Sequence, residues 1–251
     1  MKKILILFLL VIFSGCDSED APTCFKTSGE IITKIINVAP YEEIIVYEGV
    51  KLFIQQGQVQ KVRVETGRNL LEKITVSVEN KRLSIKNENS CNLFRDYGIT
   101  KVYVTLPNLT WLQNSSGIPI ESIGTLKLEN LWLRSVNQER DASIHTIGDF
   151  ILDLEVKDLR ITNDNFSNYF LSGSAQNFNV FFAAGDGRLE AGDLVVDHYN
   201  IFHRGTNKMI INPQVSLQGE IRSSGDVISL NRPPEVSVEE FYTGRLIFEA
   251  P

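Results

Sequence analysis

QNFNVFF, residues 176–182, returns at residues 197–203 as DHYNIFH, with an aromatic, an asparagine, a branched aliphatic and a phenylalanine in the same order. Side chains alternate across a β-strand, so both copies sort alike. If Phe178, Val180, Tyr199 and Ile201 point into a core, then Asn179, Phe181, Asn200 and Phe202 point out. A repeat that keeps both faces in step implies two strands side by side in register. Strands stacked as successive coils would each bury their inward side chains only against their neighbours.

The same signature runs through the second half of the chain as Leu159-Arg160-Ile161, Phe178-Asn179-Val180, Tyr199-Asn200-Ile201, Val215-Ser216-Leu217 and Val236-Ser237-Val238. The steps between first members are 19, 21, 16 and 21 residues. A period near 20 with one short strand per unit predicts an all-β chain built as a right-handed parallel β-solenoid, or β-helix. The competing architecture is a β-sandwich with similar strand spacing. The absence of long amphipathic helical patterns argues against α/β folds.

Earlier, from about residue 29 to 105, short alternating runs are separated by turn residues. Ile44–Tyr47, Lys51–Ile54, Val62–Val64, Ile74–Val78, Leu83–Ile85 and Val102–Val104 read as strands, punctuated by Gly49, Gly57, Gly67 and Asn80. Asn69–Lys73 is the best candidate for a helical turn there. This β-rich part is expected to pack on the coils or to run continuously into them, with a sub-boundary near 107–125.

The N-terminus carries an address. Met1-Lys2-Lys3 and the apolar run Ile4–Phe13 have the layout of a secretory signal peptide, and the run is too short for a helix crossing, which needs roughly 20 apolar residues. Phe13-Ser14-Gly15-Cys16 resembles the bacterial lipoprotein box, with phenylalanine where that box prefers leucine. The resemblance implies cleavage after residue 15 and lipidation of Cys16; the alternative is an ordinary signal peptide with an incidental cysteine. Each buried CH₂ contributes about 0.8 kcal/mol, so one acyl chain anchors marginally and several anchor durably. Asp17, Ser18, Glu19 and Asp20 would hydrate a tether over residues 16–28, ahead of one domain at 29–251. This acidic run is also similar to the surface-export signal of some Gram-negative lipoproteins. Both outer-membrane placements, facing the surface or the periplasm, stay open.

Charge excludes one class of partner. The formal net charge is -6, and removing residues 1–15 deletes Lys2 and Lys3 but no acid. Phosphate backbones are bound by clustered Lys and Arg, and no basic stripe marks this sequence, so no nucleic-acid partner is expected. Beyond Cys16 the cysteines are Cys24 and Cys91. Outside the cytoplasm such a pair is most simply a disulfide, which would restrict the unfolded chain by roughly 4 kcal/mol in the chain-entropy picture. Two separate buried thiols are the alternative.

Taken together, Gly67-Arg68-Asn69-Leu70-Leu71 before a strand, Leu83-Ser84-Ile85-Lys86-Asn87, Val102–Leu109 and the repeated Gly-containing coils resemble the head GIN domain family of auto-transporter adhesins over roughly residues 24–250. The chain shows Ser115-Ser116-Gly117, Ser172-Gly173-Ser174 and Ser223-Ser224-Gly225 where that family repeats Ser-Gly-Ser-Gly turns. The resemblance implies a non-enzymatic, exported surface and transfers no binding residues.

Exported β-helices also process polysaccharides, so hydrolase or lyase activity is the alternative function. Glycoside hydrolysis generally needs two acids flanking the bond. Thr162-Asn163-Asp164 is faintly similar to a polygalacturonase motif but lacks its companions, and reads as a turn. His145, His198 and His203 lack metal-like spacing and read as surface or rim residues. Asp186-Gly187 and Gly192-Asp193 match no calcium loop, and no Gly-x-Ser-x-Gly elbow occurs. No catalytic residue, metal site or cofactor is expected. The candidate ligand residues are Asn179, Phe181, Asn200 and Phe202, where two aromatic faces beside two amides suit the apolar face and hydroxyls of a sugar. Cover by a loop or a second subunit would make the same residues a packing ladder. A glycan or a surface protein is the expected partner class, besides the membrane; the oligomeric state is unreadable.

Overall fold

The computed structural model describes residues 26–89, 98–138 and 140–249. Cys16, Cys24 and Cys91, with the expected signal peptide and most of the expected tether, lie outside the described residues. Strands β1 (Ile31–Ile36), β2 (Glu43–Tyr47), β3 (Lys51–Gln56) and β4 (Lys61–Gly67) precede a 3-10 helix at Arg68–Lys73. Then come β5 (Ile74–Glu79), β6 (Arg82–Asn87), β7 (Lys101–Leu106), β8 (Trp111–Ser115), β9 (Ile120–Ser122) and β10 (Leu126–Ser135). Four long strands follow: β11 (Phe150–Asn163), β12 (Tyr169–Phe182), β13 (Leu189–His203) and β14 (Met209–Ile221). The chain closes with β15 (Val227–Ser229), β16 (Glu235–Glu240) and β17 (Leu246–Phe248). Every short run read as a strand in the first half falls inside one of these, and the helical turn appears where Asn69–Lys73 was expected.

Among the described residues the chain is all-β, one 17-stranded sheet of mixed strand orientation wrapped about one core. From β8 onward the pairings are parallel: β8–β10, β10–β11, β11–β12, β12–β13, β13–β14, β14–β16. Each long strand serves more than one ladder, so β14 pairs its start with β15 and its end with β16. The first half departs from a purely parallel stack. β1–β4, β4–β7 and β5–β6 are antiparallel, while β2 and β3 lie parallel between later neighbours. The antiparallel β5–β6 hairpin turns at Asn80 and Lys81, both at positive φ, as a tight connection requires.

Inward positions form one hydrophobic cluster running from Tyr41 to Val227. Leu159, Phe178, Tyr199, Leu217 and Val236 stand in one register column. This corrects one repeat boundary. Leu217, not Val215, continues the column, and Val215 lies exposed. The shift follows from an irregularity in the β13–β14 register between Val196 and His198. It hid from pattern reading because Gly219 fills the place that Val180 and Ile201 hold in β12 and β13. Gly219 has φ +133°, and a Cβ there would meet the Ile201 carbonyl oxygen at 1.9 Å. Gly173 is similarly required against the Leu154 carbonyl, with φ +103° and 2.0 Å.

Candidate functional site

The outward face of the parallel strands is built by the same alternation that builds the core. Phe178, Val180, Tyr199 and Ile201 are all buried, which turns Asn179, Phe181, Asn200 and Phe202 outward. Register pairs Asn179 with Asn200 and Phe181 with Phe202. The two rings stack at 4.7 Å between centroids and 16° between planes. Asn200 Nδ2 donates to Asn179 Oδ1 at 3.2 Å. Phe181 is 41% exposed and Phe202 is half-buried. Together with Arg160 and Val180 these four residues line a shallow depression of about 320 Å³.

The depression sits in a longer column that sequence reading missed. Trp111 pairs with Trp132, Trp132 with Arg160, and Arg160 with Asn179. In the neighbouring column Gln113 pairs with Arg134, Arg134 with Thr162, and Thr162 with Phe181. Guanidinium groups lie over the rings: Arg82 over Trp111 at 4.0 Å, Arg134 over Trp132 at 4.7 Å, and Arg160 over Trp132 at 4.3 Å. Trp132 Nε1 donates to Thr162 Oγ1 at 2.9 Å, which fixes the indole plane. Beyond Phe202, Arg222 lies over Phe241 at 4.1 Å and pairs with Glu220. The signal was available in the sequence. Trp111 and Trp132 are separated by the same interval as the two copies of the opening stretch, but the coils before residue 150 were not included in the repeat.

Other candidates resolve into structure. Thr162-Asn163-Asp164 was expected as a turn, but Thr162 and Asn163 end strand β11, paired with Phe181 and Phe182, and only Asp164 lies in the bend that follows. Thr162 and Asn163 are buried, Asn163 Nδ2 donates to the Asn165 carbonyl at 3.3 Å, and Asp164 Oδ2 accepts from the Asn137 N–H at 3.1 Å. His145 stands against Glu48 at 3.3 Å and His198 Nδ1 against Ser216 Oγ at 2.9 Å, both near the surface. His203 is a correction, since it is fully buried. Its Nε2 lies 2.9 Å from the Asn207 carbonyl, which only accepts, so Nε2 carries the proton and donates. Burial pulls its pKa below the ordinary value, against smaller opposing effects of that hydrogen bond and Asp226. Among the described residues no three His, Cys, Asp or Glu side chains converge as a metal site would require.

The model of a family described as "Putative auto-transporter adhesin, head GIN domain" matches residues 40–233. No curated protein matches the chain. Solved structures are similar in fold. A "putative adhesin" from Bacteroides fragilis NCTC 9343 shares 17% identity at TM-score 0.76, covering 89% of this chain and 99% of its own. A "putative adhesin" from Parabacteroides distasonis ATCC 8503 shares 16% at TM-score 0.66, covering 89% and 99%. A "putative lipid binding protein" from the same strain shares 18% at TM-score 0.61, covering 88% and 98%. At such identities the likeness speaks to fold alone.

Proposed function

The chain belongs to the head GIN domain family, and from that premise we propose that it is an exported, lipid-anchored, non-enzymatic protein of the bacterial outer membrane that presents an adhesive face to a glycan or to a protein at the cell surface. Cys16 carries the lipid, and the acidic tether holds the domain clear of the bilayer, towards the surface or the periplasm. The parallel registers from β8 to β17 support reading this part as a β-solenoid, right-handed because parallel crossovers almost always take that hand.

One observation carries the binding reading: the stacked, half-open ring pair Phe181–Phe202 beside the amide pair Asn179–Asn200. The exposed parts of the two stacked rings offer an apolar surface to the C–H face of a pyranose, and amide edges offer both donors and acceptors to its hydroxyls. No carboxylate lines the depression, so the pair of acids that glycoside hydrolysis generally needs is not offered there. The test is a glycan and whole-cell binding screen with the Phe181→Ala, Phe202→Ala double variant. Binding lost with the far-UV spectrum intact supports the reading. Binding unchanged, or folding lost, assigns the pair to packing.

A further inference from the structure

The ring pair does not end the polar face. Towards β8 the column passes directly from Asn179 to Arg160 and then to Trp132 and Trp111. Arg160 is exposed and lines the same depression as Phe181. Behind it Arg134 is half-buried between the two indoles, with Trp111 at 5.5 Å and Trp132 at 4.7 Å, and its Nε is buried without a hydrogen-bond partner.

The charges along the face are unequally compensated. Arg82, at one end, pairs with Glu43 at 2.6 Å, and Arg222, at the other, pairs with Glu220. Among the described residues neither Arg134 nor Arg160 is within ion-pair distance of a carboxylate. The nearest acid on the strand of Arg160, Asp158, accepts instead from Asn177 Nδ2 at 2.7 Å. Burial, and after it the charges of Arg82 and Arg160, hold Arg134 below its ordinary pKa against an opposing effect from Asp164. This marks a local excess of positive charge in a chain of net charge -6. Screening over about 8 Å at physiological salt lets that local excess decide the sign felt by a bound group.

Stacking leaves a guanidinium able to do one particular thing. Its face is covered by the indole, while its in-plane N–H groups stay free to form the paired hydrogen bonds that match a carboxylate. Successive coils lie about 4.8 Å apart, and a β-1,4-linked pyranose chain advances by a similar length per residue. A sugar on Phe181 and Phe202 therefore places its next neighbour over Thr162, which pairs with Phe181, with Arg160 two residues away on the same strand and lining the same depression.

We infer that the depression recognises an acidic polysaccharide, whose chain runs along the stacking direction across Phe202 and Phe181 and whose uronic-acid carboxylate is taken by Arg160 with Arg134 behind it. This rests on the sugar-binding reading of the ring pair and deepens it. Arg160 touches the ligand, and Arg134 supplies field and support for the indole.

The test uses the purified full chain in mild detergent and two probes that differ only at C6, hexamannuronate and hexamannose, both β-1,4-linked. Titration calorimetry should give about a tenfold preference for the acid, the worth of one charge-assisted contact, shrinking as salt is raised. Arg160→Gln should abolish the preference while thermal stability holds, and Arg160→Lys should restore part of it. The Phe181→Ala, Phe202→Ala variant should lose both probes. Equal affinity for the two probes in the unaltered chain, or a preference that survives Arg160→Gln, overturns the acidic specificity and leaves the sugar site standing. Binding of neither probe overturns the specificity together with the reading on which it rests.

Discussion

Phe178 and Phe181 stand three residues apart on β12, and replacing each with alanine separates core from binding face. Phe178 is fully buried and its ring packs on Tyr199 at 5.2 Å and 41°. Truncation removes a whole buried ring and leaves a cavity between coils, so Phe178→Ala should cost about 4 kcal/mol. Phe181 is 41% exposed. Only the covered part of its transfer energy and a portion of its stack with Phe202 are lost, and solvent fills the space, so Phe181→Ala should cost about 1.5 kcal/mol. For a chain of this size a kcal/mol moves the melting midpoint by a few degrees, which predicts drops of about 12 °C and about 4 °C. Thermal unfolding followed by far-UV circular dichroism on the full chain reads both. Equal drops would refute the reasoning, because Phe181 would then be as enclosed as Phe178 and no open platform would exist.

Cys16→Ser should move the protein from the membrane fraction to the soluble fraction with altered gel mobility; a variant that stays membrane-bound with unchanged mobility removes the anchor from the proposal. A non-reduced digest of envelope-purified protein should contain peptides joined through Cys24 and Cys91, whereas free thiols at both positions would discard the disulfide. His203 is held neutral by burial, with a folded pKa depressed below the unfolded one near 6.5. Its contribution is therefore present above pH about 6.5 and is lost as pH falls towards the folded pKa, where the unfolded chain binds the extra proton. The melting midpoint should fall between pH 7.5 and 5.5, and His203→Gln should flatten that slope even if it lowers the midpoint throughout. A slope unchanged in the variant would assign it to other groups.

The all-β class, the strands from β2 to β7 and the inward or outward sense of residues 178–181 and 199–202 were legible because strand periodicity is local. An apolar side chain at every second position needs no partner to be recognised, and the spacing of Phe178 and Tyr199 already implied that they would share a column. Other features waited on the tertiary structure. Which strands run antiparallel in the first half depends on contacts such as β1 with β4 and β4 with β7, and no local pattern encodes a partner's direction. Leu217 took the place expected of Val215 because one register irregularity shifts the rest of β14 against β13. His203 was misjudged because alternation fixes a side of the strand but not whether that side closes over. The arginine–tryptophan column assembled from residues in β6, β8, β10 and β11, so a guanidinium from one strand covers an indole from another. Local sequence determined which way each side chain faces. Only the pairing of strands determined what stands beside it, because register between distant strands is set by the packing of the whole core.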